Sequence, residues 1–125
     1  MEKIIFIFEG AGKVNGMLDR NLNPETVEAI LKALPINSTA NTWGDEIYFS
    51  THIKAKQEKA KTDLSVGDVT YYPPSQSICL FFGPTPASKG KEPRAAGPVN
   101  VVGKLSDLEI LRKVKDGCRV NVVKG

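Results

Sequence analysis

Hydrophobic and polar positions change their period about every ten residues along this chain. Ile4 to Phe8 is a continuous apolar run rich in β-branched and aromatic residues, the pattern of a strand buried on both faces or nearly so. It stops at Glu9-Gly10, and a turn over 10–12 predicts a hairpin returning as Lys13 to Leu18. From Asn23 the period lengthens. Val27, Ile30, Leu31 and Leu34 fall at i, i+3, i+4 and i+7, one helical stripe, with Asn23 at the N-cap position, Pro24 at the first turn and Pro35 as the stop. A helix over about 24–34 follows. Ile36 to Trp43 reads as a strand, Gly44-Asp45 as a tight turn. Glu46 to Ser50 then alternates, with Glu46, Tyr48 and Ser50 on one face and Ile47 and Phe49 on the other. Val69–Tyr72 and Ser77–Phe82 are strands divided by Pro73-Pro74, and Val99–Leu105 is another. Ser106 to Glu109 has capping-box spacing and predicts a short helix over about 107–115, before a last alternating strand, Cys118 to Val123.

Two stretches carry no period. Residues 83–98 are rich in Pro, Gly and Lys and long for an unstructured connection, which marks a lid or a passive loop. Residues 51–62 hold Lys54, Lys56, Lys59 and Lys61 against a single acid, Glu58, and read as a solvated loop or a lysine-guarded edge strand, with contact to an anionic partner as the other reading. About eight strands and two helices that do not alternate exclude a doubly wound sheet and argue for a sandwich or a closed barrel whose ends the helices plug.

The totals narrow the classes of function. At 125 residues, 41% hydrophobic, the chain suits one domain over 1–125. A net charge of +3 is too mild for a nucleic-acid binder, and no apolar run approaches membrane-helix length. The apolar start is too short for a secretory leader, so the expected location is cytoplasmic. Gly10-Ala11-Gly12-Lys13 invites a phosphate-loop reading but fails on spacing, since Val14 stands where Ser or Thr is needed and Asn15 where a third Gly is. Cys79 and Cys118 lack metal-ligand spacing, and His52 stands alone, so no metal, cofactor or nucleophilic triad is expected. The best constellation is Trp43, Glu46, Tyr48, Tyr72, Phe82 and Thr85, gathered from strand ends at one mouth of a barrel. Glu46 would anchor a ligand, the tyrosines would donate hydroxyls, and Trp43 and Phe82 would form walls. Against this stands the reading that Trp43 and Phe82 are plain core and Glu46 a surface strand residue.

Four ordered motifs carry a resemblance. Asn41 to Phe49, Val66-Gly67-Asp68-Val69 with Tyr72-Pro73-Pro74, Cys79 to Pro86, and Val99 to Gly103 resemble the signature of a small prokaryotic family of cyclophilin-like fold. The resemblance runs from first strand to last. It implies a closed eight-stranded barrel with two short helices, and it implies no activity. True cyclophilins use an Arg beside a Phe and a Gln, and none of Arg20, Arg94, Arg112 and Arg119 has those neighbours at that spacing. The expected function is a small-molecule or peptide-binding module without catalysis of its own. The alternatives are an enzyme, either a divergent prolyl isomerase or an amide hydrolase-related subunit, and a structural subunit paired through strand edges, such as a homodimer.

Overall fold

The computed structural model describes residues 1–125. Its strands are β1 (Glu2–Phe8), β2 (Gly12–Leu18), β3 (Ile36–Thr39), β4 (Asn41–Thr42), β5 (Glu46–Ser50), β6 (Lys61–Asp63), β7 (Asp68–Tyr72), β8 (Ser77–Phe81), β9 (Arg94–Leu105) and β10 (Arg119–Lys124). The helix α1 spans Pro24–Ala33, and 3₁₀ segments cover Pro73–Ser75 and Leu108–Lys113. The strands run antiparallel in the order β3-β10-β1-β2-β9-β7-β8-β5-β4, with β6 added to β9.

This order corrects the closed eight-stranded barrel. Ten strands form a curled sheet whose hydrogen-bonded path is open, because β3 and β4 end it without pairing to each other. Curvature still brings β1 and β5 together inside, where Phe6 and Phe49 meet edge to face at 6.3 Å. The physical reason for the opening lies at Ala40. Up to Thr39 the chain pairs with β10, and from Asn41 it pairs with β5, so one residue is left in which to change partner. Across the gap a side chain replaces a ladder, the Ser38 hydroxyl donating to the Ser50 carbonyl at 2.6 Å.

The sheet is buried on two sides over part of its area. Its inner face holds Ile4, Phe6, Phe8, Val14, Ile47, Phe49, Tyr71, Ile78, Leu80, Val102, Val120 and Val122, and α1 covers one end with Val27 and Ile30. A smaller core of Leu64, Cys79, Phe81, Ala95, Val99 and Val101 lies on the outer face. It exists because β9 bends. Val69 pairs with Gly103 but Thr70 pairs with Val101, and the extra residue Val102 turns the first half of β9 over the outside of β7 and β8. Gly103 permits the crossing, since a Cβ there would collide with the Met17 carbonyl oxygen of β2.

Two expected segments change as a result. The connection after Gly83 ends at Pro93, because Arg94 to Pro98 belongs to β9 and is held by β6 through the Asp63–Arg94 pairing. Ala95, Ala96 and Gly97 carry little strand propensity of their own, so tertiary cover makes this strand. The second helix is a 3₁₀ segment rather than an α-helix. Asp107 adopts φ of 61° and caps nothing, while Ser106 donates both its N–H and its hydroxyl to the Asn15 carbonyl, so the serine of the capping box is spent on β2. No helix is long and apolar enough to cross a membrane.

Residues 51–60 form an extended strap across α1, β7 and β9 without a ladder of their own. Side chains hold it down. Asn100, fully buried, accepts from Glu58 N–H and donates to the Lys56 carbonyl, and the Tyr71 hydroxyl donates to the Ile53 carbonyl.

Candidate functional site

Strand alternation decides where the expected site residues go. On β5, Ile47 and Phe49 enter the inner core, so Glu46 and Tyr48 face outward. Outward here is not solvent, because the first half of β9 lies over this face. Glu46 is 6% exposed, and with Tyr72, Cys79, Ala95, Ala96, Gly97 and Val99 it lines a cleft of about 40 Å³. Glu46 forms no salt bridge with a cation. Desolvation pushes its carboxyl up to about 7, offset in part by a hydrogen bond with Cys79. The Cys79 thiol is pushed well up by burial, then by the charge of Glu46 beside it. Both groups are therefore held toward their neutral forms. Gly97 admits Tyr72, since a Cβ there would come within 3.0 Å of the phenol oxygen.

The structure thus brings Glu46, Tyr72 and Cys79 together and sends the remaining expected residues elsewhere. Tyr48 packs on the edge of the outer core. Trp43 is half-buried in the β4–β5 turn, paired main chain to main chain with Glu46. That turn locks onto the Pro84–Pro86 loop: Asp45 N–H donates to the Pro84 carbonyl, and Gly44, at φ of 60°, leaves room for Pro86. Phe82 belongs to the inner core and lies under the Arg112 guanidinium, 5.3 Å from its ring centre. The Thr85 hydroxyl donates to the Arg94 carbonyl at 2.5 Å and clips the loop to β9. A 40 Å³ cleft holds one or two waters, far below the ~300–1,000 Å³ of ligand pockets.

A ligand-sized space lies on the other side of the sheet. On the outer face of β1, β10 and β3, Ile7, Glu9, Asn37, Ser38, Thr39, Arg119, Val120 and Asn121 line an open groove of about 590 Å³. Strand register builds it: Ile7 pairs with Asn121 and Asn121 with Asn37, and in the next row Arg119 pairs with Thr39. Only β1 with the turn after it, β10 and β3 line this groove, whereas on the other side of the sheet β9 crosses back over the outer face. Glu9 and Arg119 make no salt bridge, and the Asn121 side-chain oxygen has no hydrogen-bond partner.

Sequence reasoning missed this groove. Asn121 and Arg119 show only as the polar half of an alternating strand, and nothing local says that β3 lies beside them. A second cleft of about 320 Å³ opens at the gap between β3 and β5, with His52 and Ser50 on its rim and Asn37 and Ser38 shared with the groove. No group of three or more His, Cys, Asp or Glu side chains is placed to hold a metal ion.

Comparison with known proteins adds a family and a fold. A family model described as Cyclophilin-like matches residues 2–123. The solution structure of the hypothetical protein AF2241 from Archaeoglobus fulgidus is similar at 43% identity and a TM-score of 0.85, covering 99% of this chain and 95% of that one. Among curated proteins nothing matches.

Proposed function

The chain belongs to the cyclophilin-like family, and on that premise we propose that it is a binding module without catalysis of its own, taking a peptide or a small amide-bearing molecule in the groove over β1, β10 and β3. The observation that carries this reading is a ligand-sized polar groove in which Asn37 and Asn121 lie side by side. Six of the eight lining residues are polar or charged, which suits a hydrated, hydrogen-bonding ligand better than an apolar one. A carboxamide offers two donors and one acceptor oxygen, the complement of a peptide group. Asn37 and Asn121 stand opposite each other in register and present two such groups side by side. Arg119 and Glu9, free of ion pairs, supply one charge of each sign at the groove's end.

The Glu46–Tyr72 cleft fits a structural role better. It is too small for a ligand while β9 stays closed, and burial holds its acid and its thiol toward their neutral forms. The test is backbone amide NMR during titration with short blocked peptides. Shifts are expected at Asn37, Thr39, Arg119 and Asn121, and Asn121→Ala should weaken binding about tenfold, the worth of about one good hydrogen bond. Shifts confined to Glu46, Tyr72 and Trp43 would return the site to the cleft under β9. Accelerated turnover of proline-containing peptides that is lost in Glu46→Gln would establish the enzyme reading instead.

A further inference from the structure

We propose that the strap over residues 54–61 is a docking surface for an acidic polypeptide segment. The proposal rests on where the one acid in this run is spent. By count, Glu58 offsets one of Lys54, Lys56, Lys59 and Lys61. In the fold it turns inward. One Glu58 carboxylate oxygen accepts from Thr26 N–H at 2.8 Å and from the Thr26 hydroxyl, and Glu25 N–H donates to the other. The carboxylate thus sits on the first turn of α1, where backbone N–H groups lack helical partners and favour negative charge.

The four lysines are left uncompensated. All are exposed, and none enters an ion pair, although six pairs form elsewhere on the surface. Four lysines less one glutamate give the strap +3, which equals the net charge of the whole chain, so the remaining residues sum to zero. The mild overall charge therefore conceals a strong local asymmetry. Lys54 and Lys56, two apart on an extended segment, line one cleft of about 270 Å³ with Ala55, Tyr71, Pro73 and Gln76. The main-chain N–H groups of Lys54, Lys56 and Gln57 make no hydrogen bond, which adds neutral donors to the two ammonium groups.

The chemistry of the surface selects the partner. Single-stranded nucleic acid is held by stacking on exposed aromatic rings, and the only aromatic residue in the cleft, Tyr71, is fully buried. A membrane surface needs an apolar anchor beside its lysines, and the exposed large hydrophobic residues, Met1, Met17 and Val66, all lie outside the strap. An extended chain bearing carboxylates needs only spaced ammonium groups and N–H donors, which the strap supplies.

Fluorescence anisotropy with a labelled peptide of alternating Asp and Glu tests this on the full chain. Binding is expected at low salt and should weaken at physiological salt, where charges are screened beyond about 8 Å. Lys54→Glu with Lys56→Glu should cut affinity at least about tenfold, while Lys115→Glu, an exposed lysine elsewhere, should leave it within about twofold. A thermal melt equal to wild type confirms that the double variant folds, and Lys54→Gln with Lys56→Gln replaces it if it does not. Absence of binding at low salt, equal loss in Lys115→Glu, or tighter binding of a uridine oligonucleotide or of anionic vesicles would each overturn the proposal.

Discussion

Glu46 shows how much a single residue's role depends on what covers it. Its carboxyl titrates near 7 in the folded protein against an ordinary 4.5, because burial disfavours the charge. The native state therefore holds this proton more tightly than the unfolded chain does. The stability owed to Glu46 is fully present below about pH 4.5 and is lost as pH rises through about 7. The shift corresponds to about 3 kcal/mol across that window. Glu46→Gln keeps the shape and removes the titration. Urea unfolding at acid pH should find wild type and variant alike, and above pH 8 the variant should be the more stable by up to that amount. A stability difference independent of pH would show that Glu46 is not titrating in the buried cleft. Cys79 belongs to the same site, and its raised pKa and burial predict slow reaction with thiol reagents in the native state, slower than half-buried Cys118. From the sequence Glu46 is visible as a polar residue in an apolar neighbourhood. Its burial is not, because the covering strand arrives from fifty residues away.

At the scale of elements, α1 and the strap are one unit. The expected N-cap, Asn23, occupies the cap position but does not cap. Its side chain donates to the Val101 carbonyl at 2.6 Å and accepts from Lys59 N–H at 2.8 Å, joining helix, β9 and strap. Glu58 takes over the capping from outside the helix. Asn100 completes the network with bonds to Thr26, Lys56 and Glu58 N–H. Asn100→Ala would strand the Glu58 N–H and the Lys56 carbonyl, and chemical denaturation should find a loss of about 2–4 kcal/mol. Glu58→Gln keeps the acceptor oxygen on Thr26 and gives up the charge at the helix end and the long bond from Glu25 N–H, so the same measurement should find a loss of about 0.5–1.5 kcal/mol. A larger loss in Glu58→Gln than in Asn100→Ala would overturn this ordering. The helix itself was legible through its 3.6 period and its flanking prolines. Asn23 was recognised for the right position and assigned the wrong bond, since local patterns cannot see a carbonyl on β9.

At the scale of the molecule, the open path between β3 and β4 leaves two end strands with pairing on one side only, while β1, β2 and β8 are paired on both. Hydrogen exchange should be slowest in the centre of β1 and faster in β3, β4 and β6, which pair on one side only. Equal protection of β3 and β1 would mean that the gap closes in solution. Most of the strands, the helix α1 and the mainly β class were determined by the sequence itself, because period, β-branched runs and prolines act within a few residues. The family resemblance was legible for the same reason, its motifs being contiguous. Only the tertiary structure decided three things: that the sheet stays open, that β9 reaches back to Arg94 and buries Glu46, and that Asn37, Arg119 and Asn121 share a groove. Each depends on contacts between residues far apart in the chain, whose energies come from register, bulges and cover, and these leave no periodic mark on the residues that make them.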